Sequence, residues 1–485
     1  MNIVLYRPQN IYNLYNYIPL GLIHVGTALA NAGHSVTILA ANQREDYWHE
    51  LSFHLKNANW IGISATTSEI PHAVNIAKQI RMESRVPIVW GGWHATLFCD
   101  QMEKSNLCDA YITGPGELAV LNFTDILQHG RIEKKHFTML PDINSLPSPN
   151  YSLFSDWKWY VGNSLTDIFS KNNPNNIRWL PYQSSIGCPH RCAFCVNVVS
   201  NNRTYLAKEP YKVIDELKGI SESYAVNHFK IIDDNFFVQK KRVDEIAERL
   251  IESHLKVTWD AECRVDYFSE GYINETLLIK LKQAGLVQLT LGIESGSQRS
   301  LDAMRKDTTP AQAQRAIELC NKAKIYVRCS FILDIPGDTP EDIYETVRFI
   351  NKMRRYPYFT CGVHTFRPYP GSELTESLIN KELITAPKTL EGWTETLVRN
   401  HTATDVVRHW LQNYNISSPV SFYQSLESGM WIKPHQLSNP LLRKINTLFM
   451  NIAKYRNRIM FYRWTLDRSL YKVFKNYCYA KGLIK

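Results

Sequence analysis

The alternation of short apolar runs with amphipathic, helix-like stretches constrains this 485-residue chain more than any other feature. It begins at the apolar run Ile3–Tyr6 and continues to about residue 390, with one interruption that is rich in proline, asparagine and serine. Consecutive strand-helix units return the chain to the same sheet in parallel orientation. We therefore expect an α/β protein whose ligand sites lie beyond the carboxyl ends of parallel strands.

The interruption divides the chain into four predicted regions. Residues 1–130 contain five β/α units, which is typical of a doubly wound, Rossmann-like sheet. Residues 131–180 form a linker, 181–389 contain six further β/α units, and 390–485 are mainly helical. Repeated units of this kind predict a parallel barrel or sheet with its site at the strand ends. The strands expected in the third region are 183–187, 228–233, 257–263, 287–293, 326–333 and 360–366.

Small and hydroxyl side chains collect where the strands of the first region end. Glycine lets a backbone approach a ligand closely, and serine or threonine offers a hydroxyl. No G-x-G-x-x-G pattern follows the first strand, so a dinucleotide site is disfavoured. A nucleotide-like ligand and plain tight turns remain equal alternatives. The residues concerned are Gly21, Ser64, Thr66, Gly91, Gly92, Gly114, Gly116 and Glu117.

Three of the ten cysteines, Cys188, Cys192 and Cys195, lie within eight residues in the spacing C-x3-C-x2-C. Thiolates are soft ligands that suit zinc or iron–sulfur clusters. A structural zinc ion needs a fourth ligand, and no further motif with metal-ligand spacing follows. Three thiols suit a [4Fe-4S] cluster with one open iron that can bind another molecule. Unrelated free thiols are the alternative.

This cysteine motif, with Phe194 before the last cysteine, resembles the radical S-adenosylmethionine (radical SAM) superfamily, whose members carry a partial (β/α)6 barrel. The resemblance implies that the three cysteines bind a [4Fe-4S] cluster and that SAM chelates its open iron. It also implies that the segment 332–337 flanks the adenine of SAM. The alternative role of Arg264 is a salt bridge inside the barrel. The SAM contacts that the resemblance implies are Phe194, Arg264, Glu294 and Ser295.

The strand ends of the first region resemble the cobalamin-binding domain of the B12-dependent class of this superfamily. The resemblance makes the eight strand-end residues named above cobalamin contacts. The sequence departs from the usual Gly-Glu-Gly-Glu loop, since residues 114–117 read Gly-Pro-Gly-Glu. It also lacks the Asp-x-His-x-x-Gly pattern, so no protein histidine is expected on cobalt. His94 is the one candidate exception, and a structural role in its loop is favoured.

The resemblance implies a radical reaction. The reduced cluster cleaves SAM to a 5′-deoxyadenosyl radical, which abstracts hydrogen from an unactivated carbon. Methylcobalamin then donates a methyl group, and a second SAM restores it. We expect a C-methyltransferase acting on a small or lipid-like substrate, with an electron donor such as flavodoxin or ferredoxin.

Three other functions stay open. A cyclase or rearrangement enzyme would use the same cofactors without methyl transfer, as the anaerobic tetrapyrrole cyclases do. A non-catalytic cobalamin or iron–sulfur sensor belongs to a different class. A methylthiotransferase is disfavoured, because members of that group place three cluster cysteines in the first domain. Only Cys99 and Cys108 lie in the first region here.

The net charge of +9 is concentrated in the last 55 residues, where 12 lysines and arginines face one acid, Asp467. The rest of the chain therefore carries −2. A helical cap with a solvated basic face is the favoured role, and a surface that lies on an anionic membrane is the alternative. Nucleic acid is disfavoured. With no signal peptide and no apolar run of membrane-spanning length, we expect a cytoplasmic enzyme, with peripheral contact at the inner membrane face as the sharper alternative.

Overall fold

The computed structural model describes residues 1–10, 18–41, 47–130, 135–162, 177–200, 202–394, 413–429, 432 and 436–483. Residues 163–176 of the predicted linker and 395–412 of the predicted C-terminal region lie outside the described residues.

The first region folds into a parallel sheet of six strands in the order β2-β1-β3-β4-β5-β6. Alternate side chains of β1 pack on opposite faces, because Leu5 joins one hydrophobic core and Val4 joins the other. Helices therefore cover both faces, and the doubly wound fold is confirmed. The strands are Asn2–Arg7 (β1), Ser35–Ala40 (β2), Trp60–Ser64 (β3), Ile88–Gly91 (β4), Ala110–Ile112 (β5) and His136–Phe137 (β6). The helices are Leu20–Asn31 (α1), Tyr47–Leu55 (α2), Ile70–Glu83 (α3), Gly92–Leu97 (α4), Cys99–Lys104 (α5) and Glu117–His129 (α6).

The last strand, β6, comes from the predicted linker rather than from the first region. The strand order reverses between β1 and β3, so the loops after β1 and β3 diverge and leave a crevice at the carboxyl edge. The linker also contributes a short helix, Trp157–Gly162 (α7).

The second region forms another six-stranded parallel sheet, in the order β14-β13-β12-β11-β10-β7. Its helices pack on one face only, against apolar side chains such as Leu289 and Phe331. The expected partial barrel is therefore confirmed. The strands are Trp179–Tyr182 (β7), His228–Ile231 (β10), Thr258–Cys263 (β11), Leu286–Glu294 (β12), Tyr326–Leu333 (β13) and Phe359–Thr365 (β14). The helices are Asn197–Ser200 (α8), Pro210–Tyr224 (α9), Lys240–Glu252 (α10), Glu275–Gln283 (α11), Gln298–Ala303 (α12), Pro310–Lys322 (α13), Pro340–Met353 (α14) and Glu373–Asn380 (α15).

The first barrel strand differs from the expectation of 183–187. Residues Ser185–Gly187 (β8) instead form an antiparallel pair with Tyr205–Ala207 (β9), outside the barrel sheet. The buried carboxylate of Asp233 accepts bonds from the amide and hydroxyl of Ser184, at 2.7 and 2.6 Å, and from the hydroxyl of Ser185 at 2.6 Å. These bonds turn the chain out of the sheet after β7.

Three further helices, Tyr414–Glu427 (α16), Pro440–Ile459 (α17) and Leu466–Ala480 (α18), follow the barrel. The carboxylate of Asp334, just after β13, accepts the amide of Asn413 at 3.0 Å and the hydroxyl of Ser417 at 2.9 Å. These bonds fix α16 to the barrel. Within the described ranges, no helix has both the length and the apolar character needed to cross a bilayer.

Candidate active site

The three clustered cysteines lie on a loop between β8 and α8, and a single carboxylate fixes both ends of that loop. Asp234, after β10, accepts the amide of Gly187 at 2.8 Å and the side-chain amide of Asn197 at 2.6 Å. Gly187 has φ of +86°, a conformation that other residues rarely adopt. The amide of Ala193 also donates to the carbonyl of Met304 at 2.8 Å. The loop is therefore held in place before anything binds to it.

The thiols of this loop are free, and polar groups approach their sulfur atoms. The amide of Asn235 lies 3.6 Å from Sγ of Cys188, and Nη1 of Arg264 lies 3.4 Å from Sγ of Cys192. Burial, with Cys192 and Cys188 adding to it, raises the pKa of the Cys195 thiol to about 11. Metal binding therefore has to displace a proton from this thiol.

Among the described residues, no three His, Cys, Asp or Glu side chains are arranged so that they could bind one metal ion together. The thiols nonetheless interact with one another and receive hydrogen bonds at sulfur, which tune iron–sulfur clusters. This donor set of three soft thiols fits a multi-iron cluster.

A buried ion pair lies beside the cysteine loop. Glu294 ends β12 with φ of +68°, and its Oε1 lies 3.1 Å from Nζ of Lys306. The same Nζ lies 5.7 Å from the ring centre of Phe194, and the carbonyl of Lys306 accepts Nη2 of Arg264 at 2.6 Å. A Cβ atom on Gly292 would meet Oε1 of Glu294 at 2.5 Å, so glycine makes room for the pair.

The structure brings three of the four predicted SAM contacts, Phe194, Arg264 and Glu294, around the cysteine loop. Arg264 also forms the barrel salt bridge considered above, because Nε and Nη2 donate to Asp266 at 3.0 and 3.2 Å. The fourth, Ser295, directs its hydroxyl to Thr346 on α14 at 2.9 Å. All four roles in SAM binding stay predictions.

A cavity of about 240 Å³ opens at the carboxyl edge of the first sheet and extends to the barrel. The barrel contributes Gln183, Ile186, Ser200 and Asp234 to its wall. Asp234 thus lines the cavity and also fixes the cysteine loop. Seven of the eight predicted cobalamin contacts line the cavity: Gly21, Ser64, Gly91, Gly92, Gly114, Gly116 and Glu117. The eighth, Thr66, lies outside the lining and caps a short turn, with its amide 2.7 Å from Oε2 of Glu69.

Two features of the cavity wall fit a large ligand with its own polar groups. Gly92 has φ of +85°, and a Cβ atom there would meet Oγ of Ser64 at 2.8 Å and the backbone of Ala65 at 3.0 Å. The Oε2 atom of buried Glu117 has no hydrogen-bond partner among the described residues. Burial raises the pKa of Glu117.

His94 is not part of the cavity lining. Its Nδ1 lies 3.2 Å from the hydroxyl of Thr67, and its ring packs on Phe98 and edge-on against Trp393 at 5.6 Å. Burial lowers the pKa of His94 to about 3, so the ring is neutral. These contacts agree with a structural role in its loop.

Sequence reasoning missed two important residues. Lys306 lies on a loop and carries no motif, so only its contact with Glu294 reveals it. The sequence showed that residues 233–235 are polar residues at a strand end, but it did not show which of them has which role. Asp233 turns the chain, whereas Asp234 lines the cavity and fixes the cysteine loop.

Comparison with known families agrees with this geometry. Residues 13–124 match the B12 binding domain, and residues 182–350 match the Radical SAM superfamily. The first match contains the glycine-lined cavity wall, and the second contains the cysteine loop. The chain belongs to the radical SAM superfamily and is one of its B12-binding members, with a [4Fe-4S] cluster, SAM and cobalamin as cofactors.

Individual relatives match this chain over stretches longer than either domain. An uncharacterized methyltransferase of Pyrococcus horikoshii is 27% identical over 387 residues, which cover 76% of this chain and 79% of the relative. The anaerobic magnesium-protoporphyrin IX monomethyl ester cyclase of Rubrivivax gelatinosus is 27% identical over 336 residues, covering 66% and 58%. The structure of the radical enzyme OxsB with aqua-cobalamin and SAM matches with a TM-score of 0.66 at 16% identity, covering 99% of this chain and 75% of OxsB. This last likeness concerns the fold.

Proposed function

We propose that this enzyme methylates an unactivated carbon of a small or lipid-like substrate, with cobalamin in the glycine-lined cavity and SAM at the cysteine loop. The observation that carries the proposal is the double role of Asp234, which lines the cavity and fixes the loop. Two cofactor sites that share one carboxylate lie close enough to act on one substrate. When bound, the cluster and SAM provide a carbon-centred radical, and cobalamin provides the methyl group.

The chain's own residues hold and orient these groups. Cys188, Cys192 and Cys195 are the proposed cluster ligands, and Arg264 donates a hydrogen bond to the sulfur of Cys192. The pair of Lys306 and Glu294 presents a fixed, desolvated charge arrangement beside Phe194. Such preorganised charges bind the polar groups of SAM without rearrangement.

The first domain acts mainly through its backbone. Its glycines leave room for a broad ligand, while Ser64 and Glu117, which also line the cavity, offer hydrogen-bonding groups. The apolar residues Leu5, Trp60 and Val120 line the base of the cavity and exclude water from it. We propose that the seven lining residues named above contact cobalamin, and that Thr66 acts through its turn.

The test is to incubate reduced, cofactor-loaded enzyme with SAM and a native metabolite extract, and to quantify two products. Methyl transfer predicts both 5′-deoxyadenosine and S-adenosylhomocysteine. Deoxyadenosine without S-adenosylhomocysteine would instead favour the cyclase function that the Rubrivivax relative carries, and absence of both would favour a sensor. Flavodoxin or ferredoxin is the proposed electron donor, so either protein should replace a chemical reductant.

We also propose peripheral contact of α17 and α18 with an anionic membrane at its inner face. Both helices expose apolar side chains at helical spacing, and the loop between them exposes Trp464 at 86%. We call this set the apolar stripe: Leu441, Leu448, Tyr455, Ile459, Phe461, Trp464, Leu466, Leu470, Val473 and Tyr477.

Charge favours an anionic membrane over an apolar protein partner. The one acid of this region, Asp467, is engaged internally by Arg456 at 2.8 Å and by the hydroxyl of Tyr423 at 2.9 Å. The lysines and arginines around the stripe therefore face no acid from their own region. An apolar face flanked by cations lies in the interface of an anionic bilayer.

Vesicle co-sedimentation tests this contact. Leu470→Glu with Val473→Glu should abolish binding to phosphatidylglycerol vesicles, whereas Ile279→Glu, at an exposed apolar position on α11, should not. Binding should also weaken with salt and be weaker on neutral vesicles. Equal binding by all variants, or burial of the stripe in a dimer in solution, would overturn the proposal.

A further inference from the structure

The inner face of the barrel sheet carries charged side chains that the cofactor sites do not use. Residues that pair across parallel strands share a face, and Glu262, Thr290, Arg328 and Thr360 pair in one row across β11 to β14. The helices cover the opposite face, where Ala261, Leu289 and Val327 lie in the hydrophobic core. The row therefore faces the lumen, the space enclosed by the curved sheet.

Two charged groups of this row lack partners. Neither Glu262 nor Arg328 makes a hydrogen bond or ion pair with the part of the chain that the structure describes. The next row behaves differently, since Lys230 pairs with Asp260 at 3.0 Å and so satisfies its charge. In that row Gln288 is fully buried, and both polar atoms of its amide lack partners. Buried amides of this kind bind a ligand or water.

Of the two unpaired groups, Glu262 lies near the proposed reaction site. Desolvation raises the pKa of Glu262 although its side chain is accessible. The nearby cation of Lys230 opposes this shift, and the neighbouring carboxylates of Asp234 and Glu294 add to it. Glu262 thus lies in a recess between the cavity wall and the end of β12. His364 on β14, accessible in the same way, has its pKa lowered by desolvation and by Arg367 and Arg328. It adds a neutral ring rather than a second cation beside Arg328.

We propose that Arg328 binds a carboxylate or phosphate of the substrate inside the lumen, and that Glu262 accepts a hydrogen bond from a donor on the same molecule. The proposal rests on the function proposed above and narrows its substrate class. A guanidinium presents a planar fork of donors that matches these oxyanions. One strand, β12, lies between the two residues, and two inter-strand spacings place their backbones about 9–10 Å apart. A purely hydrocarbon substrate would leave both charges desolvated and unpaired.

Ligand-observed NMR on the cofactor-loaded protein tests the proposal with defined probes. Benzoate and phenyl phosphate should bind the wild type, whereas uncharged benzamide should not. Arg328→Gln should weaken oxyanion binding roughly tenfold or more, since it removes charge-assisted hydrogen bonds. Arg328→Lys should restore part of it. Arg348→Gln, which removes an exposed arginine paired with Glu341 on α14, should bind like the wild type.

A second probe tests Glu262. 4-(Aminomethyl)benzoate should bind more tightly than benzoate to the wild type, and Glu262→Gln should remove that advantage while leaving benzoate binding in place. The proposal is overturned if no oxyanion binds the wild type, if benzamide binds equally well, or if Arg328→Gln changes nothing. Deoxyadenosine formation from SAM by the same wild-type preparation reports separately on the proposed function.

Discussion

The two parallel sheets of this enzyme end in opposite kinds of surface. The first sheet ends in glycines and short hydroxyls, so its cavity wall is largely backbone. The barrel ends in charged side chains that are already bonded to one another, as in the pair of Glu294 and Lys306. The wall at the end of the first sheet has few charged side chains and gains its polar partners from a large ligand. The end of the barrel instead presents fixed charges to a smaller ligand. Asp234 is the point where the two surfaces meet.

The largest effect is expected from a substitution that removes the cluster site of the barrel and leaves the first sheet unchanged. Cys192→Ala removes one of the three proposed cluster ligands and should abolish both cluster assembly and deoxyadenosine formation. The first sheet contributes no ligand to the cluster, so cobalamin binding should persist. Iron and sulfide content, together with the cobalamin absorption spectrum, measure the two outcomes. Loss of cobalamin together with iron would show that the two surfaces are not independent.

The second prediction concerns a change in the cavity wall of the first sheet. Gly92→Ala places a methyl group 2.8 Å from Oγ of Ser64 and strains a backbone with φ of +85°. Cobalamin affinity should fall roughly tenfold or more, while iron content stays normal. The matched control is Gly219→Ala on the exposed side of α9, where a Cβ meets nothing within 4 Å. A Gly92→Ala protein with unchanged affinity would refute the role of the backbone.

The barrel charges are tested by removing one member of the buried pair. Lys306→Met leaves the carboxylate of Glu294 buried without its partner, which should cost about 3–5 kcal/mol of stability. Adding Glu294→Met should restore much of that stability but not SAM affinity. Thermal unfolding and SAM binding distinguish the two effects. If the double variant binds SAM normally, the proposed role of Glu294 is wrong.

The smallest effect concerns pH. Burial raises the pKa of Asp338, after β13, to about 6 even though Ser300 donates to it at 2.6 Å. The folded state holds this proton more tightly than the unfolded state does. The stability that results is fully present below the unfolded pKa of about 4 and is lost as pH rises through about 6.

Asp338→Asn should remove that dependence. Relative to the wild type, the variant should gain roughly 1–3 kcal/mol between about pH 4 and pH 7. Thermal unfolding across this range measures the gain, and exposed Asp302→Asn should follow the wild type. If the stability of Asp338→Asn changes with pH in the same way as that of the wild type, the raised pKa of Asp338 is wrong.

The sequence marked candidates for both sites where local motifs exist. Cys188 and its two partners lie within one loop and the glycines mark strand ends, so their spacing singled them out, and the family resemblance supplied their expected ligands. Lys306 and the double role of Asp234 depend on which strands become neighbours, and no local pattern encodes that. The first barrel strand was misplaced for the same reason, since Ser184 leaves the sheet through a bond to Asp233, which lies far along the chain.

The C-terminal helices show a related limit. Periodicity predicted the helices but not the faces that they bury. On α17 the body of the protein covers Asn446 and Asn457, whose side-chain amides donate to the carbonyls of Ile432 at 2.9 Å and Tyr423 at 3.1 Å. Apolar side chains such as Leu448 and Tyr455 face outward instead. The buried face of α17 therefore mixes these amides with apolar residues such as Phe449 and Ala453, and hydrophobic periodicity alone does not predict that mixture.

Methyl transfer that requires both surfaces is the central claim, and isotope transfer tests it most directly. Reduced, cofactor-loaded enzyme is incubated with SAM that carries a trideuterated methyl group and with a metabolite extract from cells that make this protein, and the products are analysed by mass spectrometry. We predict a metabolite that gains one trideuteromethyl group, its loss in the Cys192→Ala protein, and a strongly reduced yield in the Gly92→Ala protein at limiting cobalamin. A product that forms without deuterium, or one that forms equally with Gly92→Ala, would contradict the account.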